Sequence, residues 1–320
     1  ALITNNGKSL ARESLKIWVD QIAALKNAGA HVVLVSSGSV AEGMHRMQRS
    51  ERPTSVHQLQ AAAAIGQAGL IQCYESSFDK YSIQIAQILL DHADLSSRTR
   101  YLNARQTINT LLDWDIVPIV NENDTVATDE IRFGDNDTLA GLVSNLIDAD
   151  RLLILTDQNG VYSDDPRKKP GATLISECDV HDHQLDQAAQ GSGSALGRGG
   201  MSTKISAARL AARSGTTTFI ANGREDSIIL RLATGQKTGT RLNNTRKPIS
   251  ARKQWLAGGL SINGHLILDE GAEKALLNTG VSLLPVGITQ VVGDFTRGDL
   301  VSCIDSKGKE IARGLCNYSS

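Results

Sequence analysis

Two hydrophobic patterns alternate along the first three quarters of the chain, and together they predict alternating helices and strands. Between Ser9 and Ala28 the apolar positions follow helical spacing, and Gly29 supplies a stop signal. Directly afterwards, HVVLVS at 31–36 is a continuous apolar run, which predicts a strand buried on both faces. The same alternation predicts helices over 54–81, 97–114, up to 147 and over 202–214, and strands at 83–90, 116–120, 151–156 and 216–221.

Repeated helix-then-strand units predict the fold class of the larger part of the chain. They favour right-handed βαβ connections, and therefore an α/β fold in which an open, mostly parallel sheet is sandwiched by helices. The pattern changes near Asn243, where NNTRKPIS at 243–250 is polar and contains a proline. Beyond it, short strand-like pieces separated by turn signals predict a small, mainly β domain. We therefore expect a first domain at 1–242, a linker at 243–250 and a second domain at 251–320.

Composition narrows the classes of protein that remain. The 320 residues are 41% hydrophobic and 4% aromatic, with a formal net charge of −1, so no global charge attracts nucleic acid or an anionic membrane. No apolar run approaches the length of about 18 residues that a membrane span requires. The four cysteines form no CxxC pair, which favours free thiols in a reducing compartment. With no signal peptide in the sequence, we expect a cytoplasmic location.

Polar segments follow the predicted strands at the edge where ligands bind in parallel sheets. SSGS at 36–39 leads into a helix, with small residues that allow backbone N–H groups to face an anion. NENDTV at 121–126 offers several ligand-binding side chains, and FGDND at 133–137 clusters carboxylates at a helix start. The alternative is that these residues only form turns and helix caps. A helix N-cap would account for only one of the polar residues Asp135, Asn136 and Asp137. Three polar residues in a row favour a ligand-binding role.

A glycine-rich segment, GSGSALGRGGMSTK at 191–204, precedes another predicted helix. It lacks the spacing of a Walker A loop and of a dinucleotide fingerprint. Bare backbone amides, a helix N-terminus and Lys204 in the first turn nevertheless suit phosphate. A lysine there is mildly unfavourable to the helix dipole, and this local conflict favours a functional role over a solvated surface loop.

These segments, taken together, resemble the amino acid kinase family. The resemblance rests on SSGSVAEG, IVPIVNENDTV, FGDNDTLAGLVSNLIDADRLLILTDQNGVYSDDPR and GRGGMSTK, and it points to the members that phosphorylate glutamate. The C-terminal pieces ILDEGAEKALL, SLLPVGI and GDFTRGDLVSCIDSKGKEIARGL resemble a PUA domain. The resemblance implies transfer of a phosphoryl group from ATP, with Mg²⁺, to the γ-carboxylate of L-glutamate. The product, γ-glutamyl phosphate, would serve proline biosynthesis, with proline as a feedback inhibitor of a homo-oligomer.

The resemblance also implies a role for each matching residue. Lys204 and Asp137 would be catalytic, the lysine stabilising the transferring phosphoryl group and the aspartate organising the cationic side chains. Glutamate would be bound by Ser37, Gly38, Asp124 and Asn136. The nucleotide would be bound by Thr156, Asp157, Arg198, Gly199, Gly200, Met201, Ser202, Thr203 and Lys204. We expect no metal ligands among the side chains.

One departure from the family pattern concerns the start of the chain. The family carries a phosphate-binding lysine on its first strand, whereas this sequence opens at ALITNNGKSL, which matches the segment after that motif. Lys8 lies in a polar turn and is a poor substitute. We therefore expect a strand bearing this lysine to precede Ala1. If the molecule does begin at Ala1, a catalytically inactive regulator becomes an alternative.

Two further alternatives remain open from the sequence. The first is a kinase of the same fold acting on aspartate, acetylglutamate, carbamate or a nucleotide. The second is RNA binding through the PUA-like domain. Between Arg252 and Ser320 there are seven basic and seven acidic residues, so the sequence shows no basic patch and favours no nucleic-acid partner. Because this domain carries no reactive constellation, we expect it to be structural or regulatory, and we expect phosphoryl transfer to survive deletion after about Asn243.

Overall fold

The computed structural model of the chain describes residues 2–5, 7–91, 94–95, 97–126, 136–191, 200–245, 262–279, 283–297 and 299–320. These residues form two compact units that divide between residues 249 and 250, except that a short segment ending at residue 98 groups with the second unit. Within the described part of the chain, no helix is long and apolar enough to cross a lipid bilayer. Each unit has its own hydrophobic core.

Helices and strands are interspersed through the first unit. Its helices are α1 (Arg12–Asn27), α2 (Ser39–Arg46), α3 (Val56–Phe78), α4 (Arg98–Asp113), α5 (Asn136–Leu146), α6 (Gln184–Gly191), α7 (Met201–Ala211) and α8 (Ile228–Ala233). Its strands are β1 (Leu34–Val35), β2 (Ile85–Leu90), β3 (Val117–Glu122), β4 (Arg151–Thr156), β5 (Glu177–Asp179), β6 (Thr217–Asn222) and β7 (Thr240–Asn243). The predicted α/β class is confirmed, and the strand at 151–156 begins and ends at the predicted residues.

The strands of this unit are divided between two sheets. One is parallel throughout and has the order β1-β3-β2. The other has the order β4-β6-β7-β5, in which only the β6–β7 pair is antiparallel. The sequence pattern did not predict β5 and β7 because ECD and TRLN are short and lack an apolar run. Asn243, where the linker was expected to begin, is the last residue of β7.

Helix α1 shows why the hydrophobic pattern was informative. Leu15, Val19 and Ile22 lie on its predicted apolar face and are at most 4% exposed. They pack with α3, β3 and β6 in one core. Burying each such side chain stabilises the fold by about 1.5–3 kcal/mol relative to leaving it in water. The amphipathic face therefore anchors the helix against the sheets.

The strand predicted at 31–36 is shorter and less buried than expected. The strand itself contains only Leu34 and Val35, His31 is exposed, and residues 32–35 are half-buried. The physical reason is that β1 lies at the edge of its sheet among the described residues, so it pairs on one side only. A run of apolar residues alone does not distinguish an edge strand from a central one.

The second unit contains β8 (Gly264–Leu268), α9 (Glu270–Thr279), β9 (Ile288–Val292), β10 (Leu300–Ile304) and β11 (Glu310–Leu315). Its strands form one sheet of order β11-β10-β8-β9, and the prediction of a mainly β unit is confirmed. The segment SLLPVGI differs from its strand-like pattern, since Pro285–Gly287 forms a 3-10 turn before β9. Proline suits the start of such a turn because it has no N–H group to donate to a sheet.

Candidate functional site

The turn between β1 and α2 is held in place from both sides. The Ser36 backbone N–H donates to the Val120 carbonyl oxygen at 2.9 Å, which continues the pairing of β1 with β3. Gly38 caps α2 with φ +112°, and a Cβ atom there would lie 2.9 Å from Leu10 Cδ2. The positive φ therefore favours glycine at this position, and a larger residue would also require the end of the Leu10 side chain to move. The turn presents Ser37 as an exposed residue at the carboxyl end of β1.

Asp124 lies against the start of α2. The Ser39 hydroxyl donates to Asp124 Oδ2 at 2.9 Å. Burial raises the pKa of Asp124 above its ordinary value, and the Ser39 hydrogen bond and the positive charge of Arg52 offset part of that rise. The structure thus brings together the turn after β1 and the segment after β3, as their positions at strand ends predicted.

A chain of side-chain amides leads from the interior to the start of α5. Asn136 Nδ2 donates to Asn121 Oδ1 at 3.1 Å, and Asn121 Nδ2 donates to Gln67 Oε1 at 2.8 Å. Asn121 is 2% exposed and Gln67 is 8% exposed, so the bond between them is shielded from water, and the bond from Asn136 is partly shielded. This shielding strengthens the interactions and fixes the position of the Asn136 side chain.

Helices α5 and α7 run in the same direction with their first turns adjacent. Three contacts about one turn apart join them: Asp137 with Thr203, Gly141 with Ala207, and Asn145 with Leu210. A Cβ atom at Gly141 would lie 2.7 Å from the Ala207 carbonyl oxygen, so glycine permits the close approach. Two helix N-termini therefore lie side by side, and both favour negative charge.

Lys204 and Asp137 form an ion pair at this place. Lys204 Nζ lies 2.8 Å from Asp137 Oδ2, and Thr203 Oγ1 lies 2.9 Å from the same oxygen. The side chains of Lys204 and Asp137 are 12% and 17% exposed. Because the aspartate holds the ammonium group, the long lysine side chain is restricted to a defined position beside the helix N-termini.

The first turn of α5 links the two clusters. Asn136 contacts the amide chain on the side of β3, and the next residue, Asp137, contacts Lys204 and Thr203 on the side of α7. Asn136, a predicted substrate-binding residue, and Asp137, a predicted catalytic residue, are thus consecutive in the first turn of α5. Asp135 and Gly134, which belong to the same predicted motif, lie outside the described residues.

The predicted nucleotide residues occupy the ends of β4 and α7. Thr156 is buried at the end of β4, and its hydroxyl donates to Asp157 Oδ1 at 3.2 Å. Gly200 precedes α7, and Ser202 is exposed in its first turn. The Met201 side chain is buried in the hydrophobic core, which leaves its backbone as the part able to face a ligand. Arg198 and Gly199 lie outside the described residues.

The sequence patterns did not predict the buried residues of α3 that support the strand ends of the site. Gln67 contacts Asn121, and Tyr74, two helical turns further along α3, has its hydroxyl 2.8 Å from Ser36 Oγ. A signal for Gln67 was present in the sequence, because it is a polar residue within a helical face that is otherwise apolar. The pattern could not show which strand end it contacts.

Comparisons with known proteins identify the family of each unit. The model of the amino acid kinase family matches residues 1–222, and the PUA domain model matches residues 264–320. The glutamate 5-kinase of Hydrogenovibrio crunogenus is 55% identical over 318 residues, which are 99% of this chain and 85% of that protein. The glutamate 5-kinases of Nitrosospira multiformis and Saccharophagus degradans are 56% and 58% identical over 320 residues, which are 100% of this chain and 86% of each relative.

Solved structures show the fold of the first unit independently. An isopentenyl phosphate kinase from T. acidophilum, a product complex, has a TM-score of 0.50 at 13% identity, covering 76% of this chain and 96% of its own. The UMP kinase of Bacillus anthracis has a TM-score of 0.50 at 14% identity, covering 77% and 93%. At such low identity the likeness extends to the fold alone. Together with the family model and the relatives, it shows that the chain belongs to the amino acid kinase family and, within it, to the glutamate 5-kinases, with a C-terminal PUA domain.

Proposed function

We propose that the chain transfers the γ-phosphoryl group of ATP to the γ-carboxylate of L-glutamate. The bond between the phosphorus and the β,γ-bridging oxygen breaks, a carboxylate oxygen forms the new bond, and γ-glutamyl phosphate and ADP leave. The observation that carries the proposal is the first turn of α5, where Asn136 and Asp137 join a cluster suited to an amino acid to one suited to phosphate. The relatives, which are glutamate 5-kinases, support the same substrate.

Catalysis of this reaction requires positioning of the substrates and positive charge, and it does not require a general base. A side-chain carboxyl with an ordinary pKa near 4 is already ionised at neutral pH and is a nucleophile as it stands. The difficulty is the approach of one anion to another, which cationic and N–H groups around the phosphoryl oxygens relieve. Lys204, held by Asp137, provides such a charge, and Ser37 and Gly38 lie at the turn proposed to face the reacting carboxylate.

For the nucleotide we propose contacts with Thr156, Asp157 and residues 198–204. Within the described residues, no group of three or more His, Cys, Asp or Glu side chains lies together as a metal site would require. We propose that Mg²⁺ arrives with ATP, where it would be held mainly by the phosphates of the nucleotide. Such an ion would neutralise phosphate charge, and Lys204, which donates to Asp137, would add a second positive charge beside it.

The test is ATP consumption by the purified protein with Mg²⁺, with and without glutamate, trapping the acyl phosphate with hydroxylamine. Glutamate-dependent hydroxamate supports the proposal. If aspartate, acetylglutamate, carbamate or a nucleotide supports turnover and glutamate does not, the chain is a kinase of the same fold with another substrate. If every substrate fails, the assay is repeated with a longer chain that carries the expected lysine strand before Ala1. Failure of that chain with glutamate contradicts the proposal.

Three finer expectations accompany this function as proposals. Proline, as the end product of the pathway that the relatives' name implies, is proposed to inhibit turnover. A homo-oligomer is proposed on the resemblance to the family. The cytoplasm is proposed as the location. Titration of the activity with L-proline tests the first, and light scattering of the purified protein tests the second.

Removal of the second unit is expected to leave phosphoryl transfer largely intact. The cut is best made after Thr245, because Asn244 contacts Ala212 and Thr245 donates to Asp179, and both contacts hold the chain to the first unit. The proposed site residues all lie before that cut. Turnover of the shortened chain should stay within about threefold of the full chain, as expected when no transition-state contact is removed. Loss of turnover in a shortened chain that melts cooperatively would contradict this expectation.

Glutamate binding is expected to weaken as the pH falls. The weakening should begin at a higher pH than it would if Asp124 had the ordinary pKa of an aspartate. Asp124 is proposed to bind the ammonium group of glutamate as a carboxylate, and burial raises its pKa. Its protonation therefore begins at a higher pH, and the KM for glutamate should rise as the pH falls through that raised value. The variant Asp124→Asn should have a high KM that no longer changes over the same range. An unchanged pH profile in this variant would assign the titration to another group.

A further inference from the structure

We propose that Gln67, on the buried face of α3, is a positioning residue that sets which atom of Asn136 faces the amino-acid substrate. The inference rests on the proposed function and adds a residue to it. Gln67 Oε1 accepts from Asn121 Nδ2, and this leaves Asn121 Oδ1 to accept from Asn136 Nδ2. In this series of side-chain amides, the Nδ2 atoms of Asn136 and Asn121 thus both point toward the interior of the protein. Consequently Asn136 presents its carbonyl oxygen outward, as an acceptor for the ammonium group of an α-amino acid.

The packing of α3 explains why Gln67 reaches this place. A Cβ atom at Gly66 would lie 1.8 Å from the Ser39 carbonyl oxygen, so the backbones of α2 and α3 are in direct contact there. The next residue on α3 is therefore held close to the strand ends. Tyr74, two turns further on, contacts Ser36 in the same way. One face of α3 thus supports the ends of both β1 and β3.

A second observation shows that folding alone does not account for this glutamine. Gln67 Nε2 is buried, and it has no hydrogen-bond partner among the described residues. A buried N–H group without a partner weakens folding. Its neighbours on the buried face of α3, Ala63 and Leu70, are apolar and at most 2% exposed. An apolar side chain at position 67 would continue that face, so the amide is explained by the acceptor it provides to Asn121.

The test compares two replacements of Gln67. The replacement expected to give the more stable protein is also expected to give the weaker glutamate binding. Gln67→Glu keeps an oxygen that accepts from Asn121 Nδ2, but it introduces a buried carboxyl group. Gln67→Met has a similar shape and no acceptor; it removes the unpartnered N–H group of Gln67 and leaves Asn121 Nδ2 without this acceptor, which costs less than burying a carboxyl group. We expect Gln67→Met to be the more stable of the two. We expect it also to have the weaker glutamate binding, because Asn121 and Asn136 lose their fixed orientation.

In numbers, Gln67→Met should raise the KM for glutamate about tenfold or more, the effect of losing one well-placed bond to a charged group. Its kcat and its KM for ATP should stay within about twofold of the wild-type values, since the bond concerns substrate binding. Gln67→Glu should keep the KM for glutamate within about threefold, whatever its melting temperature. The matched control is Ser77→Ala, which removes another buried hydrogen bond of α3, to the Cys73 carbonyl oxygen, without contact to the amide chain.

The outcomes separate the inference from the proposed function. If the KM for glutamate follows the melting temperature across the variants, or if Gln67→Met binds glutamate as the wild type does, Gln67 is structural and the inference is wrong. If the wild-type chain shows no glutamate-dependent turnover even with the expected N-terminal strand, the proposed function fails, and the inference that rests on it fails with it. A raised KM in Gln67→Met that Gln67→Glu restores supports the inference.

Discussion

Replacement of Lys204 by alanine is expected to lower turnover by about 100- to 1,000-fold, or ~2.7–4 kcal/mol of activation free energy, while the protein stays folded. Lys204 Nζ is held 2.8 Å from Asp137 Oδ2 beside the N-termini of α5 and α7. Charge develops on the phosphoryl oxygens as the transfer proceeds, and a fixed cation there stabilises the transition state more than the ground state. The loss should therefore fall mainly on kcat.

The substitution also leaves Asp137 without its cation. Asp137 keeps its hydrogen bond from Thr203, but its negative charge is no longer balanced by Lys204 and would repel the phosphates of ATP, so part of the loss should come from Asp137 itself. In the double variant Lys204→Ala/Asp137→Ala this part is removed, and turnover should be no lower than in the single variant. The two measurements together separate the effect of losing the positive charge of Lys204 from the effect of leaving the negative charge of Asp137 near the phosphates.

A lysine outside the site serves as the control. Lys16 forms an exposed ion pair with Glu13 on α1, and Lys16→Ala should leave kcat within about twofold of the wild-type value. Melting curves of both variants report whether the fold is retained. A loss below about 1.4 kcal/mol in Lys204→Ala would show that this lysine does not stabilise the transferring group.

A second large effect is expected from Gly66→Ala, which should destabilise the first unit by about 3 kcal/mol. The added Cβ atom would lie 1.8 Å from the Ser39 carbonyl oxygen and 2.3 Å from the Gly43 nitrogen, and both are backbone atoms of α2. They can yield only if α2 moves away from α3. Alanine is favoured over glycine within a helix by about 1 kcal/mol. A net decrease in the free energy of unfolding would therefore come from the clash with α2.

The movement of α2 would also displace the turn at Ser37 and Gly38. We therefore expect glutamate-dependent turnover to fall together with a decrease in melting temperature of about 5–10 °C. Gly171→Ala is the matched control, because a Cβ atom at Gly171 meets nothing within 4 Å. Calorimetry of the two variants tests the prediction. Equal melting temperatures would show that the two helices separate without cost.

Local sequence determined the helices that bury an apolar face and located β4 from its apolar run, whereas the apolar run at 31–36 yielded only the short strand β1. Helix α1 and strand β4 lie close to their predicted positions because side-chain periodicity depends only on the backbone geometry of each element. The chemistry-bearing motifs were also recognisable in sequence, since polar and glycine residues directly after strands lie at one edge of a parallel sheet. The short polar strands β5 and β7 were not, because their pairing depends on neighbours that are distant in the chain.

Tertiary structure alone decided how the motifs meet. The pair formed by Lys204 and Asp137 depends on the close, same-direction packing of α5 and α7 at Gly141, and no local pattern carries that information. The role of Gln67 depends in the same way on α3 lying against the end of β3. Residue types determined which chemistry was possible at each strand end, because donors, acceptors and charges are properties of single side chains. Long-range packing decided which of them act together, because the hydrogen bonds and ion pairs of the site form only at contact distance.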